Sequence, residues 1–157
     1  MDQGGVTWIV TADAIEARFF TERVRSGALK ELPDLRMSAT DAEREAGRGQ
    51  SVTVHQSRGA GRHGAGEADP QHEAEKRFLK RVATQLMVSA GRGDYDRLVL
   101  MGPPHALGAL KKALPAAIAA RVDATDPHER KRDDLEDLRR HLREARARTW
   151  APGEAQG

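Results

Sequence analysis

Ala74, Phe78, Leu79, Val82, Ala83, Leu86, Met87 and Ala90 recur three and four positions apart, so they form one apolar stripe along a helix. Asp69-Pro70 supplies a cap and a first-turn proline, and Gly91 a stop. Leu98-Val99-Leu100-Met101 follows within ten residues as a continuous apolar run, the pattern of a central strand covered on both faces. A helix with one apolar stripe, feeding a strand with two buried faces, restricts the chain to layered α/β architectures.

The segments before that helix carry a different period. Val6-Thr7-Trp8-Ile9-Val10 is rich in β-formers and predicts a buried strand. Asp13-Ala14 makes a turn, after which Ile15, Ala17 and Phe19 alternate with Glu16 and Arg18 as in a half-buried second strand. Beyond the turn signal Ser26-Gly27, residues 29–37 supply a third strand, interrupted by Pro33 as at an edge or bend. On the other side, Gly102-Pro103-Pro104 turns into a helix through Leu107, Leu110 and Leu114. Ile118, Ala120 and Val122 alternate and predict another strand. A last helix is expected over about 127–148, with Leu135, Leu138 and Leu142 on one face. Its acids Asp133 and Asp134 lie early and its arginines late, complementing the helix dipole. The order βββ-loop-αβαβα describes one α/β domain over 6–148, a mixed sheet of about five strands with helices packed against it, and a frayed tail at 149–157.

Between the two halves lies Gly47 to Pro70, a Gly-rich stretch with Arg48, Arg58, Arg62, His55 and His63 and no acid before Glu67. Loops this long are uncommon inside compact domains unless they serve a function or are disordered. The net charge of the whole 157-residue chain is only +2, so the concentration of cations here says more about an anionic partner than the total does. Hydrophobic content of 38% with 4% aromatics implies a modest core, and the periodic segments argue against disorder for the rest. There are no cysteines, which excludes disulfides and thiolate metal sites and permits a reducing compartment. No signal-peptide pattern and no membrane-spanning apolar run occur, so a cytoplasmic protein without membrane insertion is expected.

Several short patterns resolve into ordinary structure. Gly59-Ala60-Gly61-Arg62-His63-Gly64 satisfies G-x-G-x-x-G but lacks the preceding strand, the helix and the later acid of a dinucleotide site. Arg92-Gly93-Asp94 spells an adhesion tripeptide, yet its glycines serve helix termination and a turn. His55, His63 and His72 match no zinc spacing, and neither metal nor other cofactor is expected. Two candidate binding regions remain. Arg48, Arg58, Arg62 and His63 suit phosphate contact. Pro103, Pro104 and His105 sit where a central strand's carboxyl end meets a helix N-terminus, a common ligand edge of open α/β sheets. The loop has no aromatics for base stacking, which disfavours sequence-specific reading of single strands; no DNA sequence reading is expected.

The ordered set Trp8-Ile9-Val10, Ala12-Asp13, Ala17-Arg18-Phe19, Gly61-Arg62-His63, Asp69-Pro70, Phe78, Leu98-Val99-Leu100, Pro103-Pro104 and Leu107-Gly108-Ala109-Leu110 resembles the bacterial host attachment protein family, named for a proposed role in attachment to host cells. That family in turn looks like a relative of the catalytic domain of archaeal and eukaryotic peptide-chain release factors. The resemblance implies a ribonuclease H-like domain with a mobile loop between the third strand and the long helix. In release factors that loop carries Gly-Gly-Gln, which helps water attack the peptidyl-tRNA ester. Here the corresponding connection reads Gly47-Arg48-Gly49-Gln50-Ser51, with Arg48 in place of the first glycine. Gly49 and Gln50 are therefore the candidate catalytic pair, with glutamine able to position a water but not to act as a strong base. A chain of this length is not expected to hold the codon-reading and factor-binding domains of a complete release factor. The resulting expectation is a non-catalytic cytoplasmic protein that offers the basic loop to ribosomal RNA, tRNA or another anion. Peptidyl-tRNA ester hydrolysis is the enzymatic alternative, and a protein-interaction module with an indirect role in attachment is a third. Oligomeric state is not legible.

Overall fold

A computed structural model describes residues 5–45 and 70–150 of the chain. Strands β1 (Thr7–Ala12), β2 (Glu16–Glu22), β3 (Leu29–Glu31) and β4 (Met37–Ser38) precede helix α1 (Pro70–Gly91). After it come β5 (Arg97–Met101), α2 (Pro104–Ala113), the short α3 (Ala116–Ala119), β6 (Val122–Asp126) and α4 (Leu135–Trp150). The sheet has six strands in the order β3-β2-β1-β5-β6, with β4 paired to β2 beside β3. β1 runs antiparallel to β2 and parallel to β5, and β5 is parallel to β6. An antiparallel meander joined to parallel strands through β1 makes the mixed sheet that the sequence predicts. The interruption at Pro33 is also found: a 3-10 turn at Pro33–Leu35 splits the third segment into β3 and β4, both paired with β2.

All six residues of β1 are buried, so the sheet is covered on both faces. The strand period of two divides its side chains between them. Trp8, Val10 and Ala12 join Phe78, Leu79, Val82 and Leu86 of α1 and Leu107 and Leu110 of α2. Ile9 packs on the other face with Val99, Met101, Leu138 and Leu142. With so few aromatics, the first core is organised around Trp8, which meets Phe19 edge-on at 6.0 Å and Tyr95 at 5.0 Å between ring centroids. The Tyr95 hydroxyl donates to the Leu86 carbonyl at 2.7 Å, so its polar end is satisfied inside the core.

Helix α4 closes the second face almost alone. Near its start Arg139 donates to the Gly27 carbonyl beside β3, and near its end Arg148 lies 3.6 Å from Asp126 of β6. Its 16 residues reach about 24 Å at ~1.5 Å each, enough to cross four inter-strand spacings of about 4.8 Å. No helix among the described residues is long and apolar enough to cross a membrane.

Several expectations are corrected. Because α4 covers the far side of β2, that strand is buried on both faces: Phe20 and Glu22 are enclosed as well as Ala17 and Phe19, while Ile15 lies in the turn, 44% exposed. The alternation at Ile118, Ala120 and Val122 is not a strand. Pro115 caps α3, its alanines favour helix, and the strand begins only at Val122. The last helix starts at Leu135 rather than near Pro127, because Asp134 and Asp137 exchange side-chain-to-backbone hydrogen bonds at 2.8 and 3.4 Å and set the cap there. Leu135 is consequently exposed, and Leu138, Leu142 and Ala145 form the buried stripe. Met87 of α1 likewise faces out, 42% exposed.

Gly102 fixes how closely β5 and β1 end beside each other. A Cβ there would stand 2.3 Å from the Ala12 carbonyl oxygen, a backbone atom held in the sheet. Gly102→Ala is therefore expected to cost about 3 kcal/mol of stability, read from urea unfolding, whereas Gly108→Ala, which meets nothing inside α2, should cost none and gain up to about 1 kcal/mol of helix propensity.

Candidate functional site at the carboxyl edge of the sheet

The parallel register aligns Thr11 with Met101 and Met101 with Asp126, so β1, β5 and β6 end on one edge. Three connections leave from it: the turn at Asp13, the turn from Gly102 into α2, and residues 127–134 leading to α4. The chain leaving β4 is on the same edge, since Ser38 pairs with Glu16 and the Ala39 N–H donates to the Ile15 carbonyl at 2.8 Å. The helical segment at 41–45 is capped by the Thr40–Glu43 exchange and tied to α1 by Arg81. That side chain donates to Glu43 at 2.8 Å and to the Ser38 carbonyl at 2.7 Å. At the start of α1, buried Glu75 lies 3.9 Å from His105 at the start of α2.

The sequence candidates Arg48, Gly49, Gln50, Arg58, Arg62 and His63 lie outside the described residues. The described residues that flank them, 41–45 and the first turns of α1, meet the edge that carries Pro103, Pro104 and His105. The two regions singled out separately in the sequence thus have neighbouring attachments. Pro103 is the N-cap of α2, with no side-chain cap bond, and His105 is exposed. The Gly102 N–H donates to the Asp126 carbonyl at 3.0 Å, which makes the turn rigid.

Sequence reasoning missed the centre of the edge, Asp126. Its carboxylate is wholly buried, accepts a hydrogen bond from Arg130 Nε at 2.8 Å and contacts His128 Nδ1 at 2.6 Å. Burial pushes this carboxyl up, but the hydrogen bonds and charges of Arg130 and His128 outweigh it and hold it below its ordinary 3.8. An ionised carboxylate only accepts, so His128 Nδ1 is the donor and a neutral ring keeps its lone pair on Nε2. The His128 side chain is 60% exposed at the carboxyl edge. Asp13 is similar: burial raises it, and Lys131 at 2.8 Å with the Ile15 and Glu16 N–H groups brings it down.

Long-range contacts pin the rest of the segment. Arg18 of β2 grips Glu31 with two nitrogens and donates to the carbonyls of Lys131 and Asp133 at 2.7 and 3.0 Å. His141 of α4 meets Asp133 at 2.6 Å. Arg132 is exposed and makes no ion pair among the described residues. The same residues contain no group of three side chains suited to a metal ion. The arrangement can present fixed cations to an anion, and one oriented imidazole to a proton.

The lowered carboxyls give stability that is complete above their unfolded-state values and is lost as pH falls through their folded-state values. Thermal unfolding should therefore show midpoints falling between about pH 5 and pH 2. Asp126→Asn should flatten part of that acid limb and cost about 3 kcal/mol at neutral pH, because Arg130 loses its buried counter-charge.

Among proteins of curated function, none matches the chain in sequence. The solved structures similar to it include the crystal structure of archaeal translation termination factor aRF1, at 13% identity and a TM-score of 0.45. That similarity covers 99% of this chain and 39% of the other, so the chain spans well under half the length of that protein. The family described as protein required for attachment to host cells matches residues 8–142, from Trp8 in β1 to Leu142 in α4, and the chain belongs to that family.

Proposed function

We propose that this family member is a non-catalytic cytoplasmic protein that binds RNA, free or within the ribosome, through the basic stretch at 47–66 and the carboxyl edge that the flanking residues meet. The observation that carries this reading is the placement of the residues flanking that stretch. They sit at the edge that also bears Lys131 and Arg132, which supports a single surface drawing its cations from distant parts of the sequence. The phosphate backbone rewards such clustering, since each neutralised phosphate releases counterions. RNA pull-down with salt titration tests it. Replacing Arg48, Arg58 and Arg62 by alanine should reduce the log–log salt slope by about 2, at ~0.7 per single-strand phosphate. Equal binding by a 47–66 deletion would sink the idea.

One observation favours peptidyl-tRNA ester hydrolysis as a second reading. His128, oriented by Asp126, is a positioned base that Gln50 cannot be. In this reading Nε2 takes a proton from water as its oxygen attacks the ester carbonyl, and the tRNA hydroxyl leaves with a proton. Purified peptidyl-tRNA is the substrate to use. His128→Ala and Gln50→Ala should each lower turnover by about 10²-fold or more if the pair acts, and unchanged turnover in both removes the reading.

A further inference from the structure

At the opposite edge of the sheet, a concavity of about 400 Å³ lies between the β2–β3 turn and α4, lined by Arg25, Arg143, Arg146 and Ala147. Glu22 pairs with Thr7 at the start of β1, and Asp123 lies at the start of β6, so this place is on the edge opposite the one where β6 ends at Asp126. Arg146 forms one wall. Its two terminal nitrogens are fixed by Glu22 at 2.7 and 3.0 Å, and that carboxylate lies beneath the surface at 1% side-chain exposure. Arg146 Nε is enclosed and has no hydrogen-bond partner, so one donor is left over. Arg25 stands 3.6 Å from Asp123, with nearly half its side chain exposed. Arg143 is exposed and makes no hydrogen bond or ion pair among the described residues.

Three arginines from two elements therefore line one hollow, and no carboxylate is among its lining residues. Arg25 comes from the β2–β3 turn, and Arg143 and Arg146, three positions apart, share one face of α4. Their aliphatic stems and the Ala147 methyl give the hollow an apolar floor, which strengthens charge interactions above it. The planar donor fork of arginine suits tetrahedral oxyanions.

We propose that this concavity is a phosphoryl-binding subsite, with Arg143 and Arg25 gripping the anion and Arg146, braced by Glu22, as its fixed wall. The phosphoryl group belongs to a small phosphorylated molecule or to an RNA backbone. The site goes beyond the carboxyl-edge reading and does not depend on it.

Calorimetric titration of the intact protein with inorganic pyrophosphate at constant ionic strength tests the subsite. Arg25→Ala/Arg143→Ala should weaken binding about tenfold or more, the loss expected for charge-assisted contacts. The charge-matched Lys111→Ala/Lys112→Ala variant, at exposed positions of α2, should bind like the intact chain. Because Arg143 has no partner to lose, Arg143→Gln alone gives the same test without risk to the fold. No pyrophosphate binding, or equal loss in both double variants, overturns the proposal. Competition between pyrophosphate and an RNA oligonucleotide assigns the subsite to the RNA backbone, and binding without competition assigns it to a small molecule. Pyrophosphate binding retained in a 47–66 deletion separates this result from the fate of the carboxyl-edge reading.

Discussion

The ion pair between Glu22 and Arg146 decides whether the second face of the sheet stays closed. Among the described residues α4 places only Leu138, Leu142 and Ala145 as fully buried apolar contacts, a narrow stripe for a helix that spans the sheet. Charge supplies the remainder. Glu22 points from β2 into that face, and taking it out of water is costly unless every oxygen is matched. Two nitrogens of Arg146 and the Ser26 N–H match it. The pair therefore acts less as a source of net stability than as a lock on position: α4 can sit in one place without stranding a buried charge. Ser26, at φ 65°, holds the left-handed turn that brings its N–H to the carboxylate.

Elements whose apolar period is long or unbroken were legible. The α1 stripe, the Leu98–Met101 run and the break at Pro33 each have one dominant local cause, and each appears where that cause puts it. Misreadings arose where two local signals compete. Ile118, Ala120 and Val122 alternate like a strand, but the surrounding alanines favour helix and Pro115 starts one. Residues 127–134 look like the first turns of a helix until Arg18, more than a hundred positions earlier, takes their carbonyls.

The candidate site divides the same way. Gly102-Pro103-Pro104-His105 is visible because a continuous apolar run followed by Gly-Pro-Pro marks a strand ending on a helix. Asp126 is invisible because its importance comes from being wholly enclosed, which depends on where β6 stops and on α4 passing over it. His128 is then only an exposed histidine until the carboxylate beside it fixes its tautomer. A sequence shows which residues are charged; it takes the fold to show which charges are held.

Arg81 has a mechanical consequence. It joins α1 to the 41–45 segment and to the Ser38 carbonyl on β4, so the two posts flanking 46–69 are clamped to each other before either reaches the core. A pull on one post is shared by the other: through α1 it loads the Trp8 core, and through β4 it loads β2. The anchorage therefore resists being pried open from one side. Force applied there would be felt by the sheet as a whole, not by a single strand at its margin.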